Sequence, residues 1–388
     1  MLRPITAVSE GVEVNQPDSF EACILRLQAE GRELGINSAM LSLLSNVQQI
    51  KRTITLDRNQ PEFVQTFSGY YLQRVNTIRI RKGRDMLQKH RAFLGELLRE
   101  YGVPPQYLVS FWALESNFGR NVGNMPTLDT LATLACDQRR SDYFSTELFA
   151  ALRVMEQHQI KPELMQGSWA GAVGQTQFMP SVFLQHGVDG DDDGAVDLWR
   201  SEKDALRSAA NYLSHIGWQR ELRWGREVRL PRDFQYHLAG INNPQTLSYW
   251  RDLGITKVDG KPVEGDGIVA SLIIPSGEEG PKFLVYDNFH VIMKWNRSQF
   301  YALAVGILAD RINGAGTLYA EPPKSEAMTK QQVLAVQQKL KDLGFDPGDV
   351  DGVLGPATAM AVRQYQYSIS HVADGFVDYG LMSQLGLR

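Results

Sequence analysis

Several features that would point to particular functions are scarce in this sequence. Among 388 residues there are only two cysteines, Cys23 and Cys136, which lie too far apart to form a metal site by themselves. The formal net charge of −4 offers no basic patch for nucleic acid and no polybasic arm for a membrane surface. No apolar run approaches the length of a membrane-spanning helix. We therefore expect that the protein does not bind nucleic acid and is not an integral membrane protein. The chain is long enough for two or three domains.

The cysteines and the N-terminus leave the cellular compartment open. The two cysteines fit small buried hydrophobic residues, or one disulfide if the protein is exported. The first residues, Met-Leu-Arg-Pro-Ile-Thr, do not form a secretory signal. A cytosolic protein and a mature form without its signal would both begin in this way.

One stretch combines a helix start, an aromatic face and a single carboxylate. Two prolines at 104–105 open a predicted helix and a glycine at 119 closes it, around helically spaced side chains: Leu108, Phe111, Trp112 and Glu115. In the last turn, apolar burial and the helix dipole both disfavour ionisation of Glu115. A carboxylic acid that stays protonated near neutral pH can act as a general acid. The alternative is an ordinary glutamate, exposed or paired with an arginine such as Arg120.

A glycine-rich stretch follows at residues 167–181. Its three glycines in eight residues allow backbone to approach a ligand or a helix closely, and Ser168 and Gln177 add hydrogen-bonding groups. This arrangement would line a cleft for a polyhydroxylated, amide-bearing substrate better than it would fill a core.

An acidic stretch at 189–199 matches the pattern of an EF-hand loop. Acidic residues occupy positions one, three and five, and a glycine occupies position six. Position twelve is Arg200 instead of glutamate, so a later carboxylate would have to close the site. The predicted ligands of a structural calcium ion are Asp189, Asp191, Asp193, the carbonyl of Ala195, and Asp204. The alternative is an acidic turn without a metal.

The rest of the chain divides into a β-rich part, a returning helix and a tail. Short β-rich runs at 226–230, 267–274 and 282–286 are separated by turn dipeptides. Aromatic and amide residues at 288–305 fit either a core or a sugar-stacking platform. A Gly/Pro-bearing stretch at 313–329 predicts a linker, and the tail beyond it predicts three amphipathic helices.

Together these motifs resemble the lytic murein transglycosylases of the membrane-bound B type, including their soluble relatives. The resemblance covers roughly residues 15–320, through the stretches around Glu115, Leu128–Leu131, 167–181 and the acidic loop. The tail resembles a peptidoglycan-binding domain through its Asp351–Thr358 signature. The resemblance implies a mainly α (α+β) fold with a lysozyme-like core, helical and small β subdomains, and a C-terminal three-helix peptidoglycan-binding domain.

The resemblance also implies roles for individual residues. Glu115 falls on the catalytic glutamate, and calcium in the acidic loop is the only cofactor expected, with no organic one. Where the family often carries tyrosines, around 288–296, this chain has His290 and Trp295. The expected substrate-binding residues are Ser168, Gln177, Tyr212, Asn296, Trp295 and Tyr301.

We expect the following organisation, partners and location. Residues 1–320 form the catalytic region, with a helical part at 1–90 and about 297–320, a lysozyme-like core at about 91–220 and a β-rich subdomain at about 221–290. Residues 321–329 form the linker and 330–388 the peptidoglycan-binding domain. Two kinds of partner are expected: peptidoglycan glycan strands and cell-wall synthesis proteins. The location is periplasmic and soluble, with the signal peptide absent from this sequence.

A single motif-borne acid constrains the mechanism. Ordinary glycosidases use two carboxylates, so here Glu115 would act first as acid and then as base, giving a 1,6-anhydromuramyl product from cleavage between N-acetylmuramic acid and N-acetylglucosamine. One alternative is a water-using muramidase with Asp129 or Asp142 as second carboxylate. Another is a non-catalytic wall-binding or calcium-binding protein.

Overall fold

The computed structural model describes residues 19–58, 65–324 and 326–387, which are mainly helical, as the fold class predicted. The N-terminal hexapeptide discussed above lies outside these residues. The helices are α1 Phe20–Glu33, α2 Ser38–Ser42, α3 Lys51–Arg58, α4 Phe67–Arg74, α5 Thr77–Lys89, α6 Arg91–Tyr101, α7 Pro105–Ser116, α8 Thr127–Ala135, α9 Ser141–Gln157, α10 Pro180–His186, α11 Glu202–His215, α12 Leu247–Asp252, α13 Asp287–Trp295, α14 Gln299–Ile312, α15 Lys330–Asp342, α16 Pro356–Ser368 and α17 Tyr379–Gln384. The strands are β1 Met125–Pro126, β2 Gln166–Gly167, β3 Gly225–Arg229, β4 Gln245–Thr246, β5 Thr256–Lys257, β6 Val269–Ile273 and β7 Lys282–Val285.

Helix α7 runs through the largest hydrophobic core. Its residues from Tyr107 to Ala113 are all buried, because α5, α6, α11 and α14 pack around it. The hydroxyl of Ser110 donates a hydrogen bond to the carbonyl of Val305 on α14 at 2.7 Å. Each fully buried large apolar side chain contributes about 1.5–3 kcal/mol. This burial fixes α7 along its length and leaves its C-terminal end to carry an accessible side chain.

A second core joins α1, α2, α8, α9 and α10. Cys23 on α1 and Cys136, directly after α8, form a disulfide with their Cα atoms 5.9 Å apart. Of the two interpretations that the sequence left open, the disulfide is therefore the observed one. It ties the first described helix to the helix pair α8 and α9.

The β-rich part is a five-stranded antiparallel sheet in the order β4-β6-β7-β3-β5. Strands β3, β6 and β7 confirm the three β-rich runs, whereas the two-residue strands β4 and β5 were not predicted. Phe283 and Val285 on β7 join the largest core, while Leu284 between them packs in a separate core with Trp250. Because successive side chains of β7 point to opposite faces of the sheet, this strand packs on both cores and joins the sheet to the helical part.

The tail has its own small core and contacts the rest of the protein. Helices α15, α16 and α17 pack around Val336, Val362 and Leu381. The backbone N–H of Glu278 donates to the carboxylate of Asp374 at 2.9 Å, which links the sheet region to the tail.

The chain leading to the tail is also anchored. The carboxylate of Glu227 on β3 accepts hydrogen bonds from the backbone N–H groups of Tyr319, at 2.7 Å, and Ala320, at 2.9 Å. The guanidinium of Arg229 lies over the ring of Tyr319, 5.3 Å from its centre. The connection to the tail is therefore held against the sheet at its start.

Candidate active site

Glu115 lies in the last turn of α7, where the sequence predicted it. The chain leaves the helix through three successive left-handed residues, Asn117, Phe118 and Gly119, with φ of 51°, 60° and 77°. Such φ values are unfavourable for Asn and Phe, and they concentrate at functional sites. At Gly119 a Cβ atom would lie 2.3 Å from Oε1 of Gln175. This turn holds the carboxyl group at the end of the buried helix.

The environment of Glu115 favours its protonated form. Burial raises its pKa from 4.5 to about 7, although hydrogen bonds from Tyr301 and Trp295 and the charge of Arg74 all act in the opposite direction. The hydroxyl of Tyr301 donates a hydrogen bond to Oε1 of Glu115. Tyr301 is itself only 5% exposed. Glu115 is half-buried, so it is not the exposed glutamate of the alternative. The groups that act on its pKa are Tyr301, Trp295 and Arg74, and Arg120 is not among them.

Tyr301 remains a hydrogen-bond donor at neutral pH. Its pKa is raised well above 10 by burial and by the neighbouring carboxylate of Glu115. Tyr301 was predicted to contact substrate, and its hydroxyl is bonded to Glu115. Tyr301 lies in the first turn of α14, which Ser298 caps: the hydroxyl of Ser298 accepts a hydrogen bond from the backbone N–H of Tyr301 at 3.3 Å.

Aromatic rings connect α7 to the neighbouring elements at this site. The ring centre of Trp295 lies 4.5 Å from that of Phe111 on α7, 5.2 Å from that of Phe178 and 5.4 Å from that of Tyr212. The structure thus brings two of the predicted substrate-binding residues, Trp295 and Tyr212, into contact, and Trp295 interacts with Glu115. Both side chains are half-buried.

The glycine-rich loop places Ser168 and Gln177 in defined orientations. The hydroxyl oxygen of Ser168 accepts hydrogen bonds from the N–H groups of Ala172, at 3.1 Å, and Ala170, at 3.4 Å. The side-chain amide of Gln177 donates to two backbone carbonyls, those of Val122 at 3.0 Å and Gly174 at 2.9 Å. Both donors of Gln177 are therefore engaged, so its carbonyl oxygen is the group left for a ligand.

Two residues at the site were not identified from the sequence. Gln175, 3% exposed, accepts a hydrogen bond from the indole N–H of Trp112 at 2.9 Å and donates to the carbonyl of Trp199 at 3.2 Å. Arg74 acts on Glu115 from α4. No local pattern marks either residue, because each acts on a side chain far away in the sequence. Asn296, by contrast, is exposed, and its Oδ1 accepts from the backbone N–H of Ser298 at 3.0 Å.

Part of the predicted metal-ligand set comes together. Carboxylate oxygens of Asp189, Asp191 and Asp204 lie within 4.8 Å of one another. Asp193 is not in this group, and its Oδ1 accepts from the N–H of Ala195 at 2.9 Å instead. Asp204 is 1% exposed, and burial raises its pKa even though the N–H groups of Gly190 and Asp197 donate to it.

The chemistry of this group fits a hard cation. Calcium prefers oxygen ligands, and carboxylates are its commonest protein ligands. Asp189 also accepts N–H bonds from within its own loop, of which that from Gly194 does most to lower its pKa. A cation near the buried carboxylate of Asp204 would offset the cost of burying its charge.

No helix among residues 19–58, 65–324 and 326–387 combines the length and apolar character required to cross a membrane.

Two family models match successive parts of the chain. A model described as "Transglycosylase SLT domain" matches residues 19–310. A model described as "Putative peptidoglycan binding domain" matches residues 329–385.

Named relatives agree with these matches. The chain is 33% identical over 225 residues to the membrane-bound lytic murein transglycosylase B of Escherichia coli K12, covering 55% of this chain and 58% of that protein. The chain thus spans little more than half the length of this curated relative. The structure of SltB3 from Pseudomonas aeruginosa in complex with NAG-anhNAM-pentapeptide has a TM-score of 0.90 and 38% identity, covering 95% of this chain and 100% of that chain. The structure of Escherichia coli Slt35 in complex with calcium has a TM-score of 0.65 and 27% identity, covering 78% of this chain and 95% of that chain.

These findings confirm the resemblance that the sequence motifs indicated. The lysozyme-like fold class and the C-terminal helical domain agree with the matched structures. Since the first family match covers well over half of the sequence, the chain belongs to the transglycosylase SLT domain family.

Proposed function

We propose that the protein is a lytic transglycosylase that cleaves the β-1,4 bond between N-acetylmuramic acid and N-acetylglucosamine in peptidoglycan. Family membership and the names of the relatives support this class of reaction. The observation that carries the proposal is the carboxyl group of Glu115, whose pKa is about 7. Among the described residues, no second acid is one of the groups that shift this pKa. A single acid with this pKa fits a mechanism in which one carboxyl group acts first as general acid and then as general base.

In the first step Glu115 acts as general acid. Its protonated form transfers the proton to the glycosidic oxygen while the bond from that oxygen to C1 of the muramyl residue breaks. The hydroxyl of Tyr301 donates to Glu115 and so fixes the orientation of the carboxyl group. That hydrogen bond also stabilises the carboxylate left after proton transfer.

The substrate's own acetamido group would stabilise the positive charge at C1, as in substrate-assisted glycosidases. The hydroxyl oxygen of Ser168 already accepts two N–H bonds from its loop, and its O–H group would donate to the acetamido oxygen. The free carbonyl oxygen of Gln177 would accept from an acetamide N–H. Tyr212 and Trp295 are proposed as further substrate contacts because their rings pack against Phe178, the residue after Gln177. Asn296, exposed and next to Trp295 in the chain, is proposed as another.

In the second step Glu115 acts as general base. The carboxylate takes the proton from the muramyl C6 hydroxyl, and the oxygen of that hydroxyl forms a bond to C1. This closes a 1,6-anhydro ring, consumes no water and returns Glu115 to its protonated form. A pKa near the working pH allows one group to give and then take a proton.

The two alternatives receive less support. For a water-using muramidase, Asp129 is half-buried with a raised pKa, but it accepts a hydrogen bond from the backbone of Gln48. Asp142 is exposed in the first turn of α9. Neither is among the groups that act on Glu115. A non-catalytic binding protein would gain nothing from a half-buried carboxyl group whose pKa is raised to about 7.

Mass spectrometry of products from purified glycan strands tests the reaction. We expect muramyl ends that lack one water relative to reducing ends. Glu115→Gln should lose on the order of 10²–10⁴ in rate, whereas Asp129→Asn and Asp142→Asn should still give anhydro ends. Reducing ends from the wild type, or more than about a tenth of the wild-type turnover in Glu115→Gln, would overturn the proposal.

We propose calcium as the ion of the acidic loop, in a structural role. The residues that would hold it are Asp189, Asp191 and Asp204, with the carbonyl of Ala195 as the motif's fourth ligand. When bound, the ion would supply positive charge that holds the loop to the start of α11. The calcium complex of Slt35 supports this choice of ion.

We also propose a periplasmic location and the domain limits expected from the sequence. A disulfide is typical of oxidising compartments, and Cys23 and Cys136 form one. The first family match ends at residue 310 and the second begins at 329, and the strands β3 to β7 fall at 225–285. The proposed partner is the glycan strand of peptidoglycan, bound by the catalytic region and by the tail.

A further inference from the structure

A cavity of about 670 Å³ lies between the tail and the rest of the protein. One side is formed by α16 and by the loops before and after it in the tail. The other side is formed by residues 239–243 and by the start of α14. The volume falls in the range of roughly 300–1,000 Å³ that is typical of ligand pockets. The boundary between the two parts is therefore not filled by side-chain packing.

An arginine without a partner lines this cavity. Arg363 on α16 is only 8% exposed, and its Nε has no hydrogen-bond partner among residues 19–58, 65–324 and 326–387. A Cβ atom at Gly375 would lie 2.8 Å from its guanidinium carbon, and one at Gly240 would lie 3.7 Å from its Nη1. The guanidinium group thus lies between the tail and the catalytic region. In the described residues it makes no ion pair within 4.0 Å.

The acid that acts on Arg363 is engaged elsewhere. The charge of Asp374 raises the pKa of Arg363, but burial outweighs it and lowers that pKa to about 10. The carboxylate of Asp374 accepts hydrogen bonds from three other groups, namely the side-chain amide of Gln366 and the N–H groups of Phe376 and Glu278. Arg363 therefore stays charged at neutral pH while its own donors are unused.

A buried charge without a partner is unfavourable, and buried charges are usually paired. A structural arginine would be expected to satisfy its donors within the fold. An anion that enters the cavity from outside would supply the partner that the described residues do not give Arg363. A carboxylate matches the planar fork of a guanidinium and can bind it through two hydrogen bonds.

The remaining walls restrict the rest of the ligand. Leu354 and Met360 line the cavity from the tail and are 41% and 43% exposed, and Ile241 and Phe300 line the opposite side. Two charged residues besides Arg363, Arg297 and Glu326, also line it. A ligand that combines one carboxylate with small apolar side chains fits these walls. An alanine-terminated peptide has this chemistry.

We propose that the cavity binds the carboxyl-terminal end of the alanine-terminated peptide that branches from peptidoglycan glycan strands, with the carboxylate on Arg363. This inference rests on the proposed function, since the same polymer supplies the glycan at Glu115. A second attachment point for one polymer raises its effective concentration at the first. The cavity would thus give the tail a specific ligand group, the free end of the peptide.

The test measures binding of diacetyl-Lys-D-Ala-D-Ala to the full chain by titration calorimetry and NMR. The peptide with a C-terminal amide is the matched control ligand. We expect the free acid to bind at least about tenfold more tightly than the amide, because a charge-assisted pair is lost. Arg363→Met should lose this preference, and Arg32→Met, an exposed arginine on α1, should keep it.

Stability separates a ligand-binding role from a structural one. Removing an unpaired buried cation should raise the melting temperature, so Arg363→Met should melt above the wild type. If Arg363→Met does not fold, Arg363→Lys keeps the charge without the fork and should bind the acid more weakly than the wild type. Equal binding of acid and amide, unchanged binding in either variant, or binding of decanoate but not of the peptide would overturn the inference.

Cleavage of peptide-free glycan strands distinguishes this inference from the proposed function. Arg363→Met should cleave such strands at the wild-type rate. A wild type that binds the peptide acid but cleaves no glycan refutes the proposed function. A wild type that cleaves glycan but does not prefer the peptide acid refutes the inference.

Discussion

Replacing Glu115 by glutamine is expected to stabilise the fold above neutral pH while removing activity. The pKa of Glu115 rises from 4.5 to about 7 on folding. Below about pH 4.5 both the folded and the unfolded chain carry this proton, so the residue adds no pH dependence. Between these two values the folded protein keeps a proton that the unfolded chain has lost. The free energy of unfolding therefore falls as pH rises, and the full loss is reached above about pH 7.

The size of this effect follows from the pKa difference. One unit corresponds to about 1.4 kcal/mol, so the shift corresponds to about 3 kcal/mol as an upper limit. Glu115 is partly exposed, and solvent screening reduces the expected value to about 1–3 kcal/mol. Glutamine keeps the shape and can accept the hydrogen bond from Tyr301, but it does not titrate. At the typical unfolding entropy of about 2 cal/mol/K per residue, the gain in melting temperature for 388 residues is about 1–4 °C.

Thermal unfolding followed by tryptophan fluorescence provides the assay. The melting temperature of Glu115→Gln minus that of the wild type should increase from about pH 4.5 to about pH 8 at constant ionic strength. Glu21→Gln, an exposed substitution in the first turn of α1, is the control and should show no such increase. A difference that is the same at both pH values, or that shrinks as pH rises, would refute the assigned environment of Glu115.

Three further predictions test the neighbouring features. Tyr301→Phe removes a hydrogen bond that lowers the pKa of Glu115, so the alkaline limb of kcat/KM should move above about pH 7; an unmoved limb would contradict the contact. A calcium chelator should lower the melting temperature of the wild type and of Asp193→Asn but not of Asp191→Asn, since only Asp191 belongs to the carboxylate group; equal responses would argue against the site. Cys23→Ser should lower the free energy of unfolding in urea by about 2–5 kcal/mol, because the disulfide spans a sequence separation of 113; no loss would show that the bond does not stabilise the fold.

The helix that carries Glu115 could be predicted because its signals are local. Prolines at the start, apolar residues at helical spacing and a closing glycine all lie within one segment, and α7 begins and ends within it. The strands β3, β6 and β7 were found for the same reason. Strands β4 and β5 were missed because two residues carry no detectable alternation.

The partners of Glu115 could not be predicted because they are distant in the sequence. Tyr301 lies 186 residues from Glu115, and only the packing of α14 against α7 brings them together. The pairing of Cys23 with Cys136 depends in the same way on the packing of α1 near the end of α8. In both cases the type of residue indicates its chemistry, but only the tertiary fold determines which residue is its partner.

The acidic loop shows a different limit. The motif gave equal weight to Asp189, Asp191 and Asp193, because spacing alone does not reveal where each carboxylate points. In the folded loop Asp193 turns to the backbone N–H of Ala195, whereas Asp204 reaches the group from α11. Similarly, Gln177 was predicted as a site residue from the glycine-rich stretch. Gln175, two residues earlier, was not, yet its side chain accepts the hydrogen bond from the indole N–H of Trp112.

The anchoring of residues 319–320 by Glu227 changes how the tail should influence the enzyme. A flexible tether lets a binding module sample many positions, so the separation between its ligand and the cleavage point varies from one event to the next. Here the carboxylate of Glu227 holds the start of the connection, and the N–H of Glu278 holds Asp374 in the tail. The conformational entropy of residues 319–320 is thus already lost in the free protein. Under the proposed function, the tail would work as a spacer of fixed length, which would set the distance along the polymer between the point that is held and the bond that is cut.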